Sequence, residues 1–574
     1  MATTRQSLDS PSSSSSFLAP LSISTAKIHS LARSLCSTFT SLAANSQEQF
    51  LPTPISDSVL RPEGDESGRY LAIDIGGTNL RVGFIELLGS DETLEDTTAR
   101  GEDANERSRV RRHLEKSWPI GEQLKHNKAE DLFTWIGICI AEVVQDGCLT
   151  WPGGLPDVIP LGITFSFPMM FVSPTLTPIS EARSCLPIYS TSQHTLSEAT
   201  LMSMGKGFQI TSNLDLGRLL LEGYERSRDT SLPRIRITAI VNDAVATLVS
   251  FAYQFRSNAR RKAAMGLIVG TGCNATIPLA LSKLHPNKRP AKVKVLDSDG
   301  KAEVDQDLKI AVNTEWTIRG AAGPLHDLGF ITRWDEKLDA EGEAPGFQPF
   351  EYMTAGRYLG ELGRIIILDC LTNNLSIPEY SLPPLLRQRH GLSTTFLGNL
   401  GPHLATVESS LLKQLEIEIP PSTEGDAWYW TAEVAEMVYD IAKAIQVRAA
   451  GMTAAAVIAL LACAEEIQFS FSHPSPQDLH NGAASTPIAV NGTSTKDVLD
   501  ELMVGYTGGC IVHFQDYLTD CQGFLDEIMD AEFGGRRSRE NVHVPRVVLM
   551  PCHDGGIIGA GILAGTVQSL ARDG

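Results

Sequence analysis

The chain has few basic residues for its size, and this deficit restricts the functions that it fits. Its 574 residues carry 48 Lys and Arg against 68 Asp and Glu, which gives a formal net charge of −20. Sequence-independent binding of nucleic acid requires a basic surface, so the composition argues against direct nucleic-acid binding. A phosphorylated small molecule remains compatible, because a local glycine-rich loop can bind an anion in an acidic protein.

Paired cysteines and long apolar runs are also missing. None of the ten cysteines forms a C-x-x-C pair or has a histidine at zinc-ligand spacing, which predicts reduced thiols in a cytoplasmic protein. The longest apolar stretch, Ala449 to Ala464, has 16 residues and is interrupted by Gly451 and Thr453. A helix that spans a bilayer needs about 20 apolar residues, so no transmembrane segment is expected.

The remaining composition is that of a globular protein. Apolar residues make up 42% of the chain and charged residues 20%, which excludes a wholly disordered or fibrous molecule. A chain of this length corresponds to about two to four domains. The sequence shows no internal duplication.

The first 47 residues are predicted to form a Ser-rich tail followed by a helix. The tract at 12–16 is entirely Ser, and apolar residues from Leu21 to Leu42 recur with the period of an amphipathic helix. No continuous apolar core follows a positive charge, so a secretory signal is not expected. A helix that docks on the protein and a mitochondrial transit segment both remain open. We expect a cytoplasmic location, with mitochondrial association or a nuclear location as alternatives.

A glycine turn at 76–79 is the first candidate for binding phosphate. The string YLAIDIGGTNLRVGFI at 70–85 predicts two strands joined by a tight turn. Paired glycines let backbone N–H groups approach an anion, although such a turn can also mean only a hairpin. Asp74, at the end of the first strand, is suited to hold Mg²⁺ through water. The phosphate-binding candidates are Gly76, Gly77, Thr78, Asn79 and Arg81.

A candidate for the general base is the carboxylate at the end of another apolar strand. Residues 235–248, IRITAIVNDAVATL, predict a buried strand that ends at Asn242 and Asp243 and leads into a helix. A carboxylate beside a cleft is suited to act as the general base that a phosphoryl-accepting hydroxyl requires. An aspartate before a helix can equally be an N-cap.

The string D-I-G-G-T-N-L-R-V at 74–82 closely resembles the first phosphate motif of the eukaryotic hexokinase family. In all, nine strings occur in family order between about residues 48 and 566. The chain resembles the divergent hexokinase-like proteins that filamentous fungi carry. The resemblance implies the actin-like ATPase (ribonuclease H-like) superfamily: two α/β domains around a cleft. The expected small domain covers 48–240 with a C-terminal return at about 541–574, and the large domain covers 241–540.

The same resemblance implies a sugar site. The strings LGITFSFP, GKGF, VND, GTGCN, VNTEW and FEYMTAGRYLGE each match a family motif. Asp243 is then the catalytic base, and carboxylates around a neutral sugar accept strong hydrogen bonds from its hydroxyls. The implied sugar contacts are Ser166, Lys206, Asn242, Asp243, Asn274, Glu315 and Glu351.

The resemblance also implies an ATP site with Mg²⁺. A second phosphate turn at 270–272, an adenosine motif in IAVNGT and the string MPCHDGGIIGAG correspond to family segments. Beyond the turn at 76–79, the implied nucleotide contacts are Gly270, Thr271, Gly272, Asn491, Gly492, Asp554 and Gly555. The expected ligands are therefore a hexose and a nucleotide.

Several positions depart from the family pattern: Gly205, Ala244, Ala321, Asn491, Gly556 and Ile557. An isoleucine at 557, where the family has glycine, is expected to place a β-branched side chain against the nucleotide. Two functions therefore remain open. One is ATP-dependent phosphorylation of a hexose, glucose by family analogy, at its 6-hydroxyl. The other is a catalytically weak or inactive sugar sensor that acts through regulatory protein partners.

Overall fold

The computed structural model describes residues 16–57, 67–89, 109–126, 128–167, 169–171, 199–201, 215–255, 260–289, 308–400, 411–422, 428–469, 499–540 and 543–573. The expected contacts at Lys206, Asn491 and Gly492, and the departure at Gly205, lie outside these residues. They therefore stay predictions.

The described chain contains both strands and helices, and helices follow one another without a strand from Ala322 to Cys463. The strands are β1 (Leu51–Ser56), β2 (Ser67–Ile75), β3 (Asn79–Leu88), β4 (Val110–Pro119), β5 (Val158–Phe165), β6 (Met169–Phe171), β7 (Ala199–Leu201), β8 (Arg234–Asn242), β9 (Arg261–Val269), β10 (Cys273–Ala280), β11 (Lys309–Asn313), β12 (Glu501–Thr507) and β13 (Arg546–Pro551). The helices are α1 (Thr25–Asn45), α2 (Glu122–His126), α3 (Ala129–Thr150), α4 (Leu216–Ser227), α5 (Asp243–Gln254), α6 (Ala322–Asp327), α7 (Arg333–Ala340), α8 (Pro349–Thr354), α9 (Gly356–Asp369), α10 (Pro384–Arg387), α11 (Thr394–Asn399), α12 (Leu411–Glu418), α13 (Ala432–Cys463), α14 (Gly509–His513), α15 (Tyr517–Glu540) and α16 (Gly555–Asp573).

One sheet of five strands has the order β4-β3-β2-β5-β8. The antiparallel β2–β3 pair forms the hairpin predicted around the glycine turn, and β5 and β8 continue the sheet in parallel. Helices α3 and α4 cover one face, and α5 and α16 cover the other. Because both faces are covered, the sheet's central strands are largely apolar rather than alternating.

The other large sheet has six strands in the order β1-β11-β10-β9-β12-β13. Helix α5 packs against β9 so closely that a Cβ on Gly266 would lie 2.6 Å from the backbone nitrogen of Leu248. On the first sheet, a Cβ on Gly162 would lie 1.9 Å from the carbonyl oxygen of Ala560 in α16. Glycines at these contacts let α5 and α16 lie between the two sheets.

The predicted N-terminal helix is present as α1 and is part of the core. Ser24 caps it, and Ile28, Leu35 and Phe39 are fully buried in the hydrophobic core that includes the six-stranded sheet. The strand that follows, β1, pairs with β11 in the six-stranded sheet. Residues 51–56, which were expected in the small domain, therefore pair with a strand of the expected large domain. The expected domain boundaries stay predictions.

Two of the described helices, α3 and α13, are long and apolar enough to cross a membrane by length and composition. The most apolar window of α13 is 89% buried within the fold and that of α3 is 56% buried. A core helix passes the same test, so these two helices are weak evidence for a membrane span.

Candidate active site

A cavity of about 1010 Å³ lies between the two sheets and collects most of the predicted site residues. It is lined, among others, by Asp74, Gly76, Gly77, Thr78, Asn79, Arg81, Ser166, Asn242, Asp243, Thr271, Gly272, Asn274, Glu315, Glu351 and Gly555. Gly270 and Asp554 lie beside it: Gly270 closes the turn that holds Gly272, and Asp554 pairs with Arg81. The fold thus brings predicted site residues that are more than 400 positions apart in the sequence into one cavity.

Asn274 and Glu315 form the centre of the expected sugar site. Asn274 Nδ2 donates to Glu315 Oε1 at 3.1 Å, and Asn313 Nδ2 donates to the same oxygen at 2.8 Å. Glu315 has a left-handed backbone, with φ of 46°, which is uncommon for a residue with a Cβ. Residues held in such a conformation are fixed by their surroundings and cluster at functional sites.

Glu351, on the short helix α8, forms another wall of the same cavity. Its side chain is buried, with 6% of the residue exposed, and Oε2 accepts a hydrogen bond from the backbone N–H of Cys273 at 3.1 Å. Burial raises the pKa of the Cys273 thiol well above its ordinary value, with Glu351 adding to the effect. Cys273 is also buried, with 2% of the residue exposed, and buried thiols in such surroundings are generally inert, which fits the space-filling role expected from the sequence.

Asp243 is the first residue of α5, and Asn242 is the N-cap. The Asn242 Oδ1 atom accepts from the N–H of Ala244 at 2.9 Å, which satisfies one of the free donors at the helix start. The alternative in which Asp243 is itself the cap is therefore wrong. Asp243 Oδ1 also lies 2.9 Å from the N–H of Ala244, which anchors the carboxylate at the cavity wall.

Two glycine turns contribute to the lining of the cavity. Gly76 N–H donates to the carbonyl of Asn79, and Gly270 N–H donates to that of Gly272, each at 2.9 Å. Beside the second turn, Gly508 has φ of 119°, and a Cβ there would lie 2.3 Å from the carbonyl oxygen of Val269. Backbone this close and this free of side chains fits a polyphosphate.

Asp74 and Arg81 connect the first turn to the C-terminal helix. Arg81 contacts Asp74 at 2.6 Å and Asp554 at 2.5 Å. Burial raises the pKa of Asp74, and Arg81 opposes that rise. The described residues contain no group of three or more His, Cys, Asp or Glu side chains that could hold a metal. Mg²⁺ is commonly bound through one or two carboxylates together with waters and phosphate oxygens, and Asp74 fits the role of such a carboxylate.

Sequence comparison decides the family. Two family models, each described as hexokinase, match the chain: one covers residues 264–566 and the other covers 13–175 and 188–253. The chain belongs to the hexokinase family. The actin-like ATPase fold predicted from its motifs is confirmed with it.

Individual members of the hexokinase family agree with this assignment. A hexokinase from Schwanniomyces occidentalis is 30% identical over 332 residues, which cover 56% of this chain and 55% of the relative. One from Kluyveromyces lactis is 27% identical over 337 residues, covering 58% and 56%. The matched part thus spans about half the length of these curated relatives. The solved structure of a Schistosoma mansoni hexokinase complexed with glucose has a TM-score of 0.66 and 22% identity, and the match covers 96% of this chain and 98% of that one. At this identity the likeness shows the fold.

The side chain of Ile557, which departs from the hexokinase pattern, lies in a different place from the one expected. Ile557 is fully buried in the apolar layer between α5, α16 and the five-stranded sheet, and it does not line the cavity. The expectation that its side chain meets the nucleotide is therefore wrong. Ala244 and Ala321 are also fully buried. Gly556 does line the cavity, and a Cβ there would lie 2.8 Å from Asp74 Oδ2.

Sequence reasoning missed three residues that hold the site together. Asn313 was visible in the VNTEW string, two positions before Glu315, and its Nδ2 donates to Glu315 Oε1 at 2.8 Å. Gln49 donates from Nε2 to the backbone carbonyl of Glu315 at 2.9 Å. Arg112 contacts Asp554 at 2.5 Å. Nothing in the local sequence around Gln49 or Arg112 signals these distant partners.

Proposed function

We propose that the protein transfers the γ-phosphoryl group of ATP to the 6-hydroxyl of a hexose, with glucose as the first candidate. The observation that carries this proposal is the position of Asp243. Its carboxylate lines the same cavity as both glycine turns and the Asn274–Glu315 pair. A base between a phosphate site and a polyol site is the arrangement that phosphoryl transfer to a hydroxyl requires.

The sugar would be held by amides and carboxylates. Glu315 and Glu351 accept hydrogen bonds from hydroxyls, and Asn274 can bind one while it orients Glu315. Ser166, which directly follows β5, lines the same cavity. The family expectation that Lys206 completes this set belongs to the proposal.

Asp243 would accept the proton of the attacking hydroxyl. As that proton moves to the carboxylate, the sugar oxygen forms a bond to the γ-phosphorus, and the bond between this phosphorus and the bridging oxygen of ADP breaks. Asn242 holds the start of α5 in place through its cap, which keeps the Asp243 backbone fixed during the transfer. The catalytic contribution of the chain is then positioning and charge stabilisation.

The nucleotide would bind with its phosphates against the two turns. Backbone N–H groups at 76–79 and 270–272 and the guanidinium of Arg81 provide the donors, and Asp74 is the residue placed to hold Mg²⁺ through water. When bound, Mg²⁺ supplies neutralisation of the charge on the transferring group. The family expectations for Asn491, Gly492 and Gly555 at the nucleotide are part of the same proposal.

A second function is favoured by one observation: Arg81 is engaged by both Asp74 and Asp554. Two carboxylates on the cation of the phosphate site compete with phosphate, while the Asn274–Glu315 arrangement is complete. A protein with a complete sugar site and an occupied phosphate-site cation could bind sugar and transfer the phosphoryl group slowly or not at all. It would then be a sugar sensor that acts through protein partners.

We also propose a cytoplasmic location. The nine described cysteines are all free thiols, which fits a reducing compartment. Helix α1 supports the docking alternative for the N-terminal segment, since its apolar face is buried in the core.

The proposed function is tested by assaying purified protein with MgATP and glucose, fructose or mannose. We expect a hexose 6-phosphate with at least one of the three. Calorimetry with glucose is the matched measurement. Glucose binding without product would contradict the kinase and support the sensor, and the absence of both would contradict both functions.

A further inference from the structure

Arg112 lies at the end of a chain of four alternating charges. Asp74 contacts Arg81 at 2.6 Å, Arg81 contacts Asp554 at 2.5 Å, and Asp554 contacts Arg112 at 2.5 Å. The two oxygens of Asp554 are divided between the two guanidinium groups, since Oδ1 accepts from Arg81 and Oδ2 from Arg112. The chain as a whole is neutral, and Arg112 supplies the second of its two positive charges.

A β-bulge brings Arg112 to this side of the sheet. Val82 pairs with Lys116, but Phe84 pairs with His113, so β4 carries one extra residue at this point. Leu114, within the bulge, has a left-handed φ of 53°. Without the extra residue, Ile85 would pair with His113 rather than with Arg112.

The shift decides which face of the sheet Arg112 occupies. Residues 81, 83 and 85 alternate onto one face of β3, the face against which α16 packs. Because Arg112 pairs with Ile85, it shares that face with Arg81. Lys116 pairs with Val82 and is on the other face, where it contacts Glu142 and Asp146 of α3.

Gly83 gives the bulge its room. A Cβ on Gly83 would lie 3.1 Å from the Cα of Glu115, so a larger residue would press on the bulged strand. Glu115 in turn contacts Arg112 at 3.3 Å. The glycine and the bulge together fix the strand that presents Arg112 to Asp554.

We propose that Arg112 is a positioning residue for the nucleotide, which it affects through Asp554 and Arg81. By holding Asp554 Oδ2, it fixes the carboxylate against which Arg81 is oriented at the phosphate turn. It also cancels one negative charge beside a site that receives a polyphosphate. Removal of Arg112 leaves a net charge of −1 on the remaining three groups, which opposes nucleotide binding. This inference rests on the proposed function for the identity of the nucleotide.

The test compares Arg112→Gln and Arg112→Lys with Arg111→Gln in the full chain. In the backbone register of β3 and β4, Arg111 is opposite Glu86 and is therefore on the face of the sheet away from Arg112. Replacing Arg111 removes the same charge without affecting Asp554. For each protein, the measurements are KM for ATP, KM for glucose, kcat, the melting temperature, and the Kd of MgADP by calorimetry.

We expect Arg112→Gln to raise KM for ATP and the Kd of MgADP about threefold to fivefold, as for a partly exposed ion pair. KM for glucose and the melting temperature should not change. Arg112→Lys should restore most of the loss, and Arg111→Gln should match the wild type. Equal effects of the two Gln variants, or equal rises in both KM values, would overturn the inference.

The proposed function can fail separately. A wild type that binds MgADP but forms no sugar phosphate contradicts the kinase, while the Kd comparison still decides the role of Arg112. A wild type that binds no MgADP overturns the inference itself.

Discussion

Asn274 and Glu315 are hydrogen-bonded to each other in both directions. Asn274 Nδ2 donates to Glu315 Oε1, and the backbone N–H of Glu315 donates to Asn274 Oδ1, each at 3.1 Å. Asn274 Oδ1 also accepts from the N–H of Ala275 at 2.8 Å, which fixes the orientation of the amide. One side chain thus sets both the carboxylate and the left-handed backbone of Glu315.

Replacing Asn274 with Ala is therefore expected to weaken glucose binding, because Glu315 loses the hydrogen bond that orients its carboxylate. A hydrogen bond to a charged group contributes about 1.5–3 kcal/mol, which corresponds to a loss of about 10- to 100-fold in affinity. Calorimetry with glucose measures it, and the Kd of MgADP is the internal control. A variant that keeps wild-type glucose affinity would show that this pair does not form the sugar site.

The support behind Glu315 can be tested from two sides. Gln49 is 2% exposed and donates to the carbonyl of Glu315, and a Cβ on Gly320 would lie 2.0 Å from Gln49 Oε1. We expect Gln49→Leu and Gly320→Ala each to raise KM for glucose about twofold to tenfold, the range of one neutral hydrogen bond. KM for ATP should stay constant. Glucose KM values unchanged in both variants would show that Gln49 does not position Glu315.

The contrast between Gln49 and Asp243 shows what the sequence can predict here. Asp243 follows an apolar strand and begins a helix, and both features are local, so its place between strand and helix follows from the pattern. Gln49 and Arg112 depend on partners 266 and 442 residues away. Arg112 also depends on the bulge, which shifts the strand register by one residue and changes the face of each side chain beyond it.

Ile557 shows what a family motif fails to predict, which is the location of a side chain. A family motif predicts which position departs, but it does not predict which side of a helix the new side chain occupies. Isoleucine at 557 is on the buried side of α16, next to the sheet, while its neighbour Gly556 is on the cavity side. Helical periodicity decides this, and a string of letters compared in one dimension does not contain it.

Restoring the family serine at position 556 is expected to reduce activity. A Cβ there would lie 2.8 Å from Asp74 Oδ2, and Arg81 holds that oxygen in place. The helix has little freedom to move away, because Thr164 Oγ1 donates to the carbonyl of Gly556 at 2.7 Å within the core. We expect Gly556→Ser to lower kcat/KM for ATP about tenfold or more, with glucose affinity retained. Steady-state kinetics test this, and an increase in activity would contradict it.

The pH dependence of activity should respond to Arg81 and Asp554 in opposite directions. Burial raises the pKa of Asp74, Arg81 opposes the rise, and Asp243 and Asp554 add to it. Arg81→Met should raise the pKa of Asp74 further, so the acidic limb of kcat/KM for ATP moves to higher pH. Asp554→Asn should move it to lower pH. Profiles from pH 5 to 8 measure both, and shifts of the same sign would contradict this account of Asp74.

The central claim is that Asp243 accepts the proton of the sugar hydroxyl. The most direct measurement is the single-turnover rate of phosphoryl transfer from MgATP to glucose in the wild type and in Asp243→Asn, with glucose affinity measured on the same samples. General bases of this kind contribute about 10²- to 10⁴-fold, so we predict a rate loss in that range with glucose affinity retained. A variant that transfers at the wild-type rate would contradict the claim.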